Sequence, residues 1–279
     1  VWHRNVGTRK APKLAVAQPI EVEWHDKQPA LKWGWMRPEG KALLTQWRTT
    51  PVVVDWNRDG LNDLLMLNHE GYLTLLPRSK RDGRLQLHEP QRIFEKNNPF
   101  GYVRLNTRSA GGSGRRKLCV ADWDGDGRMD ILANSPNAEL WRNIADREGM
   151  YKLNNQGTLF KRNISSHTTS PTVVDWNGDS VWDLLMSNNE AMTGSGILYY
   201  ENSGTNENPV FFRKNYLMVN GREIRSGSGH AVNPCTTDWF ASGLTDLVVG
   251  NDDGSLHLYR SSFFATPPEI EIANVVRNR

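Results

Sequence analysis

Short apolar runs alternate with polar loops along this chain, and four of the runs recur in register. PVVVDWNRDGLNDLLMLN begins at Pro51, LCVADWDGDGRMDILAN at Leu118, PTVVDWNGDSVWDLLMSN at Pro171 and PCTTDWFASGLTDLVVGN at Pro234. Each copy has a short stretch rich in β-branched or small residues, an Asp-Trp pair, a polar loop, a second Asp and another apolar run. Runs this short, bounded by Gly, Asn and Asp, predict strands rather than helices. A turn follows the second run, as at His69-Glu70-Gly71 and Asp252-Asp253-Gly254, and a third strand follows as YLTLL, ELWRN, ILYYEN or LHLYR. A more variable fourth strand is predicted at LQLHEP or in the VFFRK region.

The first aspartates, Asp55, Asp122, Asp175 and Asp238, are spaced at 67, 53 and 63 residues. Repeats of this length are longer than solenoid coils usually are, and four antiparallel strands per repeat are the content of a β-propeller blade. The predicted fold is therefore all-β, a propeller of four-stranded antiparallel blades, with the tryptophans of the Asp-Trp pairs packed between neighbours. Val1-Trp2-His3-Arg4-Asn5-Val6-Gly7-Thr8 matches Leu198-Tyr199-Tyr200-Glu201-Asn202-Ser203-Gly204-Thr205, which places residue 1 in the third strand of a blade. The chain thus reads as a partial blade and connection over 1–48, then blades at 49–112, 113–166, 167–229 and 230–279, the last completed by Glu269-Ile270-Glu271-Ile272. These four and a half blades are expected to form part of a larger propeller, of up to seven blades, whose missing strands come from upstream chain.

The loops between first and second strands carry a specific chemistry. In DWNRDGLND, Asp55, Asn57, Asp59 and Asp63 stand at positions 1, 3, 5 and 9, Gly60 permits a sharp turn at position 6, and Leu61 offers a backbone carbonyl. Ca²⁺ takes six to eight hard oxygen ligands, and alternating acidic and amide side chains in a tight loop supply them. The second copy, Asp122, Asp124, Asp126 and Asp130 with the carbonyl of Arg128, is the most acidic and is expected to bind most tightly. The third offers Asp175, Asn177, Asp179, Asp183 and the carbonyl of Val181, with Ser180 in place of the glycine. The fourth has Phe240 and Ser242 at ligand positions and is expected to hold no ion. Such ions brace a fold rather than catalyse.

This pattern resembles the FG-GAP or VCBS-type repeat, in which acidic loops bind Ca²⁺ within propeller blades. The resemblance implies an extracellular or periplasmic setting, and relatives that include adhesive modules, propeller-fold polysaccharide lyases and other glycan-degrading enzymes. It does not choose between enzyme and binder, because one fold hosts many functions.

Composition adds exclusions. With 38% hydrophobic and 23% charged residues the chain is globular, and a net charge of +3 with dispersed Arg and Lys gives no electrostatic footprint for nucleic acid. No apolar stretch is long enough to span a bilayer as a helix. Cys119 and Cys235 occupy the same place in two repeats and read as small buried thiols. AGGSGRRK lacks the GK[ST] ending of a phosphate loop, and Asn163-Ile164-Ser165 is only a formal sequon.

Eight residues before each first Asp, where the inner strand begins, stand Trp47, Gly114, His167 and His230, flanked by Arg48, Arg115 and Arg116. An arginine and histidine ring at a channel mouth suits an acidic polysaccharide. Arginine pairs with a uronate carboxylate, and a neutral histidine removes the adjacent proton, the chemistry of a uronate-directed lyase. His167, His230, Arg48 and Arg115 are the catalytic candidates, and Trp47, Arg116 and Trp35 the substrate-binding ones. Tyr72, Tyr102 and Tyr199 are possible leaving-group acids. The alternative is a non-catalytic carbohydrate- or protein-binding adhesive module, in which each such side chain caps a strand or meets a loop carbonyl.

Overall fold

The computed structural model describes residues 1–26, 28–30, 39–47, 49–97, 101–106, 116–134, 138–145, 151–160, 170–190, 194–211, 213–226, 232–251 and 253–264. Among these the protein is all-β, built of several antiparallel sheets with no α-helix. Two compact units divide the chain, one of residues 1–135 with 139–158, the other of 136–138 with 159–279.

In the first unit, Val52–Val54, Asp63–Leu67 and Leu73–Leu76 form an antiparallel meander, the first repeat. Every residue of Asp63–Leu67 is buried. The alternation of the strand sends Leu65 and Leu67 into one core, and Leu64 and Met66 into another with Val22, Leu76 and Leu87. That two-sided burial is why the run is continuously apolar. The predicted fourth strand at LQLHEP is placed differently. Arg84–Leu87 pairs with Arg78–Arg81 as a separate hairpin, and the third strand is flanked instead at Gln91 and Arg104.

The second repeat is Leu118–Ala121, Asp130–Ala133, Glu139–Asn143 and Tyr151–Thr158, with Phe94–Lys96 added in parallel at its edge. Trp56 of the first repeat is 6% exposed and meets Phe94 edge-on at 5.1 Å and Tyr151 at 5.9 Å, so its indole is core between the two repeats. The Lys117 ammonium also crosses from the second repeat to the Thr50 hydroxyl at 2.7 Å.

In the second unit, Pro171–Val174, Asp183–Glu190, Gly194–Glu201 and Arg213–Tyr216 form the third repeat, with Arg225–Ser226 also pairing against Gly194–Glu201. Asn233–Thr237, Asp246–Gly250 and Leu256–Tyr259 form the fourth. Their shared core includes Leu185, Ile197, Tyr199, Leu247 and Val249, with Trp176 packed edge-on against Phe264 at 4.9 Å. The segment Glu269-Ile270-Glu271-Ile272 lies outside the described residues, as does the sequon at Asn163.

The NxGT match is a true structural repeat. Asn5 Oδ1 accepts the amides of Gly7 and Lys13, both at 3.0 Å, and Asn202 Oδ1 accepts those of Gly204 at 3.0 Å and Val210 at 2.8 Å. Each glycine lies where a Cβ would come within 2.3 Å of a carbonyl oxygen, that of Ala11 or Asn208, so this turn admits only glycine. The cysteines are unpaired with each other. Cys119 is half-buried and Cys235 exposed, so the expectation of buried thiols fails for Cys235, on whose strand Asn233 is exposed as well.

Candidate metal loops

All four loops share one backbone scaffold. The position-1 carboxylate accepts the amides that follow it. Asp55 takes Asp59 at 3.1 Å and Gly60 at 3.0 Å, and Asp175 takes Asp179 at 3.1 Å and Ser180 at 2.9 Å. Asp122 takes Gly127 at 2.9 Å, and Asp238 takes Ser242 at 2.8 Å and Gly243 at 2.9 Å. Residues at positions 4 and 6 are left-handed throughout, including the non-glycines Arg58 (φ 60), Ser180 (φ 67) and Ala241 (φ 53). The sequence pattern points to position 6 alone; the second left-handed residue is hidden because Arg58 and Ala241 stand there.

The position-9 aspartates do something else. Asp63, Asp130, Asp183 and Asp246 are at most 1% exposed. Each takes the amide of an early loop residue on one oxygen: Trp56 (3.3 Å), Trp123 (3.0 Å), Trp176 (3.1 Å) and Phe240 (3.3 Å). On the other oxygen each takes an amide at or just beyond the end of the third strand: Arg78 (2.7 Å), Asn143 (2.7 Å), Asn202 (2.9 Å) and Ser261 (3.0 Å). Every repeat is therefore tied across its loop end by one buried carboxylate, including the fourth, whose ligand positions hold Phe240 and Ser242. Asp183 also accepts the Tyr199 hydroxyl at 3.0 Å, and burial pushes the Tyr199 phenol far up. Burial raises the Asp63 carboxyl and pushes Asp130 and Asp183 up to about 6, against the amide hydrogen bonds that favour the ionised form.

Positions 3 and 5 separate the loops. In the first and third, Asn57 and Asn177 donate to Asp59 and Asp179, both at 2.9 Å, and Asn57 and Asn177 Oδ1 accept the position-5 amides at 3.0 and 3.1 Å. The side-chain oxygens of these two loops are of the hard type that a cation of the calcium type takes. The Asp175 loop opens on a pocket lined by Trp176, Asn177, Gly243, Thr245 and Ser261.

In the second loop the ligand oxygens of Asp122, Asp124 and Asp130 lie within 4.8 Å of one another, the one such carboxylate triad among the described residues. Arginine is already there. The Arg142 guanidinium pairs with Asp124 and its Nε lies 3.6 Å from Asp130. Arg128 pairs with Asp126 and donates to the Asn143 carbonyl at 3.0 Å. Arg58, from the first loop, donates to the Gly127 carbonyl.

Of the proposed channel-mouth residues, Arg48, Arg115, His167 and His230 lie outside the described residues, as does Trp35, the other substrate-binding candidate. Trp47 is 43% exposed. Arg116 donates to the carbonyls of Leu105 at 3.1 Å and Asn134 at 2.7 Å, so its guanidinium joins two loop ends. A cluster that the repeat pattern does not reveal lies in the first unit. The Tyr72 ring has the Arg92 guanidinium 4.1 Å and the Arg104 guanidinium 5.3 Å from its centroid. Arg92 pairs with Glu70, and Arg104 donates to the Glu70 carbonyl at 2.9 Å. Burial and the charge of Arg104 lower the Arg92 pKa, and burial, with the charge of Arg92, lowers that of His69. Tyr102, 43% exposed, lies close enough to Arg92 to act on its charge.

The loops, the buried clamp and the antiparallel repeats define an all-β repeat protein with acidic loops. Residues 55–133, the first two loops and the strands they join, match the model of the FG-GAP-like repeat. Among curated proteins, none matches this chain. A similar solved structure is a lectin of Agrocybe aegerita, described as recognising non-reducing terminal N-acetylglucosamine. The two are 15% identical, and the match covers 77% of this chain and 67% of that one with a TM-score of 0.38.

Proposed function

We propose that this chain is a non-catalytic, calcium-braced β-propeller module that binds acidic glycans in an extracellular or periplasmic setting. The observation that carries the ligand class is the Tyr72 cluster. Two guanidiniums stand against the Tyr72 ring, Arg92 paired with the Glu70 carboxylate, beside Tyr102, which is 43% exposed. Arg92, whose charge burial and the neighbouring Arg104 disfavour, is relieved by an anion, and planar guanidiniums pair with a uronate or sulfate in a way a lysine does not. The exposed ring adds a flat apolar face for the sugar. The repeated FG-GAP-like unit supports a scaffold that presents such a surface.

Binding is preferred over the lyase reading. The Tyr72 cluster is assembled among the described residues, whereas the lyase candidates His167, His230, Arg48 and Arg115 lie outside them. Immobilised acidic and neutral glycans test the choice. Acidic chains are expected to retain the protein without being shortened. Arg92→Lys and Arg104→Lys are each expected to weaken binding about tenfold, with the melting temperature unchanged. Retention unaffected by both substitutions, or glycan cleavage, defeats the reading.

Calcium is proposed for the Asp55 and Asp175 loops. Each ion held at a hundred times its dissociation constant stabilises the fold by about 2.7 kcal/mol. Melting in calcium against melting in excess chelator should therefore differ by several degrees; coincident curves would remove calcium from the account.

A further inference from the structure

The four repeats can be compared at one register position, the residue just before the amide that the position-9 aspartate holds. Those amides belong to Arg78, Asn143, Asn202 and Ser261, so the preceding residues are Pro77, Arg142, Glu201 and Arg260. In the two repeats where this residue is arginine, its guanidinium covers loop position 3. Arg142 pairs with Asp124, and Arg260 lies over the Phe240 ring at 4.1 Å. In the other two the same register position holds a proline or a carboxylate, and loop position 3 is Asn57 or Asn177.

We infer that the second repeat has replaced its metal ion with its own arginine: Arg142 is the resident cation of the Asp122 loop, and calcium is confined to the Asp55 and Asp175 loops. Three carboxylates converge there to within 4.8 Å, an arrangement that needs a positive charge at its centre. The guanidinium meets that need by pairing with Asp124, which is 12% exposed, and approaching Asp130 to 3.6 Å. Arg128 neutralises Asp126, the remaining outer ligand, and Arg58 takes the Gly127 carbonyl beside it. A calcium ion entering this loop would have to displace Arg142 from Asp124 and strip Arg128 from Asp126. The most acidic loop is thus the one whose outer carboxylates are already paired with arginine, opposite to the ranking by carboxylate count. Arg260 on Phe240 is a further step along the same line, with the acidic partner gone and the arginine retained on an aromatic face.

The inference rests on the calcium reading for where calcium goes, but its arginine half is tested separately. Calcium titrated calorimetrically into the chelator-stripped full chain should bind at sites that Asp59→Asn and Asp179→Asn each weaken about tenfold, and that Asp124→Asn leaves unchanged. Arg142→Ala should add a further calcium site, with a dissociation constant of roughly 10⁻⁴–10⁻³ M. In chelator, Arg142→Ala should melt about 5 °C below the parent chain, and calcium should restore most of that loss. A parent chain that loses a site on Asp124→Asn overturns the inference. So does an Arg142→Ala variant that melts in chelator like the parent. Absence of calcium binding in the parent chain defeats the calcium reading alone, since the chelator melt still reports whether Arg142 braces the loop.

Discussion

Replacing Asp183 by alanine is expected to destabilise the second unit by about 4 kcal/mol, with or without calcium. The carboxylate accepts the Trp176 amide, the Asn202 amide and the Tyr199 hydroxyl, at 3.1, 2.9 and 3.0 Å. Alanine leaves these donors facing a space that is 0% exposed, and each unsatisfied buried donor costs about 1–3 kcal/mol. The loss is moderated because the carboxylate itself ionises against burial, its pKa pushed up to about 6. Asp179→Ala is the contrast. Asp179 is exposed, its side chain meets only loop neighbours, and in chelator its removal is expected to change stability by under about 1 kcal/mol. Denaturant unfolding of the two variants, each in calcium and in chelator, separates the roles. Equal losses for both that vanish in chelator would make position 9 a metal ligand and nothing more. Asp246→Ala extends the test to the fourth repeat, where position 3 is Phe240 and the clamp still joins Phe240 to Ser261.

How much of this was legible depends on how local each signal is. The loop, its left-handed glycine, the first strands and the NxGT turn are written within nine or ten consecutive residues, and their periodicity places them correctly. The clamp is half-legible. Asp63, Asp130, Asp183 and Asp246 recur in register, but a motif reading assigns them to an ion because their amide partners, such as Asn143 and Ser261, lie at or past the end of the third strand. Arg142 is illegible for the same reason. Counting carboxylates between Asp122 and Asp130 ranks that loop first, while the guanidinium that pairs with Asp124 arrives from a neighbouring strand. The Tyr72 cluster draws Arg92 and Arg104 from an outer segment that does not repeat, so no comparison among copies exposes it. Arg116 reads as a channel-mouth cation because it stands beside Gly114, eight residues before Asp122; its carbonyl partners, Leu105 and Asn134, come from loops that only folding brings together.

Trp56→Ala is expected to cost the first unit about 4 kcal/mol, and Trp56→Phe under about 1.5 kcal/mol. The indole is 6% exposed and fills the space between the first two repeats, against Phe94 at 5.1 Å and Tyr151 at 5.9 Å, with Leu65, Leu118 and Ile131 in the same core. Truncation to alanine removes that transfer energy and leaves a cavity between two sheets that their strand pairing prevents from closing. Phenylalanine keeps the edge-on contact with Phe94 and discards a buried indole N–H that has no hydrogen-bond partner, so part of its smaller volume is offset. Urea unfolding followed by far-ultraviolet circular dichroism, which is indifferent to the number of tryptophans left, reads both variants. Were the Asp-Trp tryptophan instead a sugar platform, Trp56→Ala would abolish glycan retention while leaving the unfolding midpoint in place. The packing predicts the reverse order: stability falls first, and glycan binding at the Tyr72 cluster survives at temperatures where the variant remains folded.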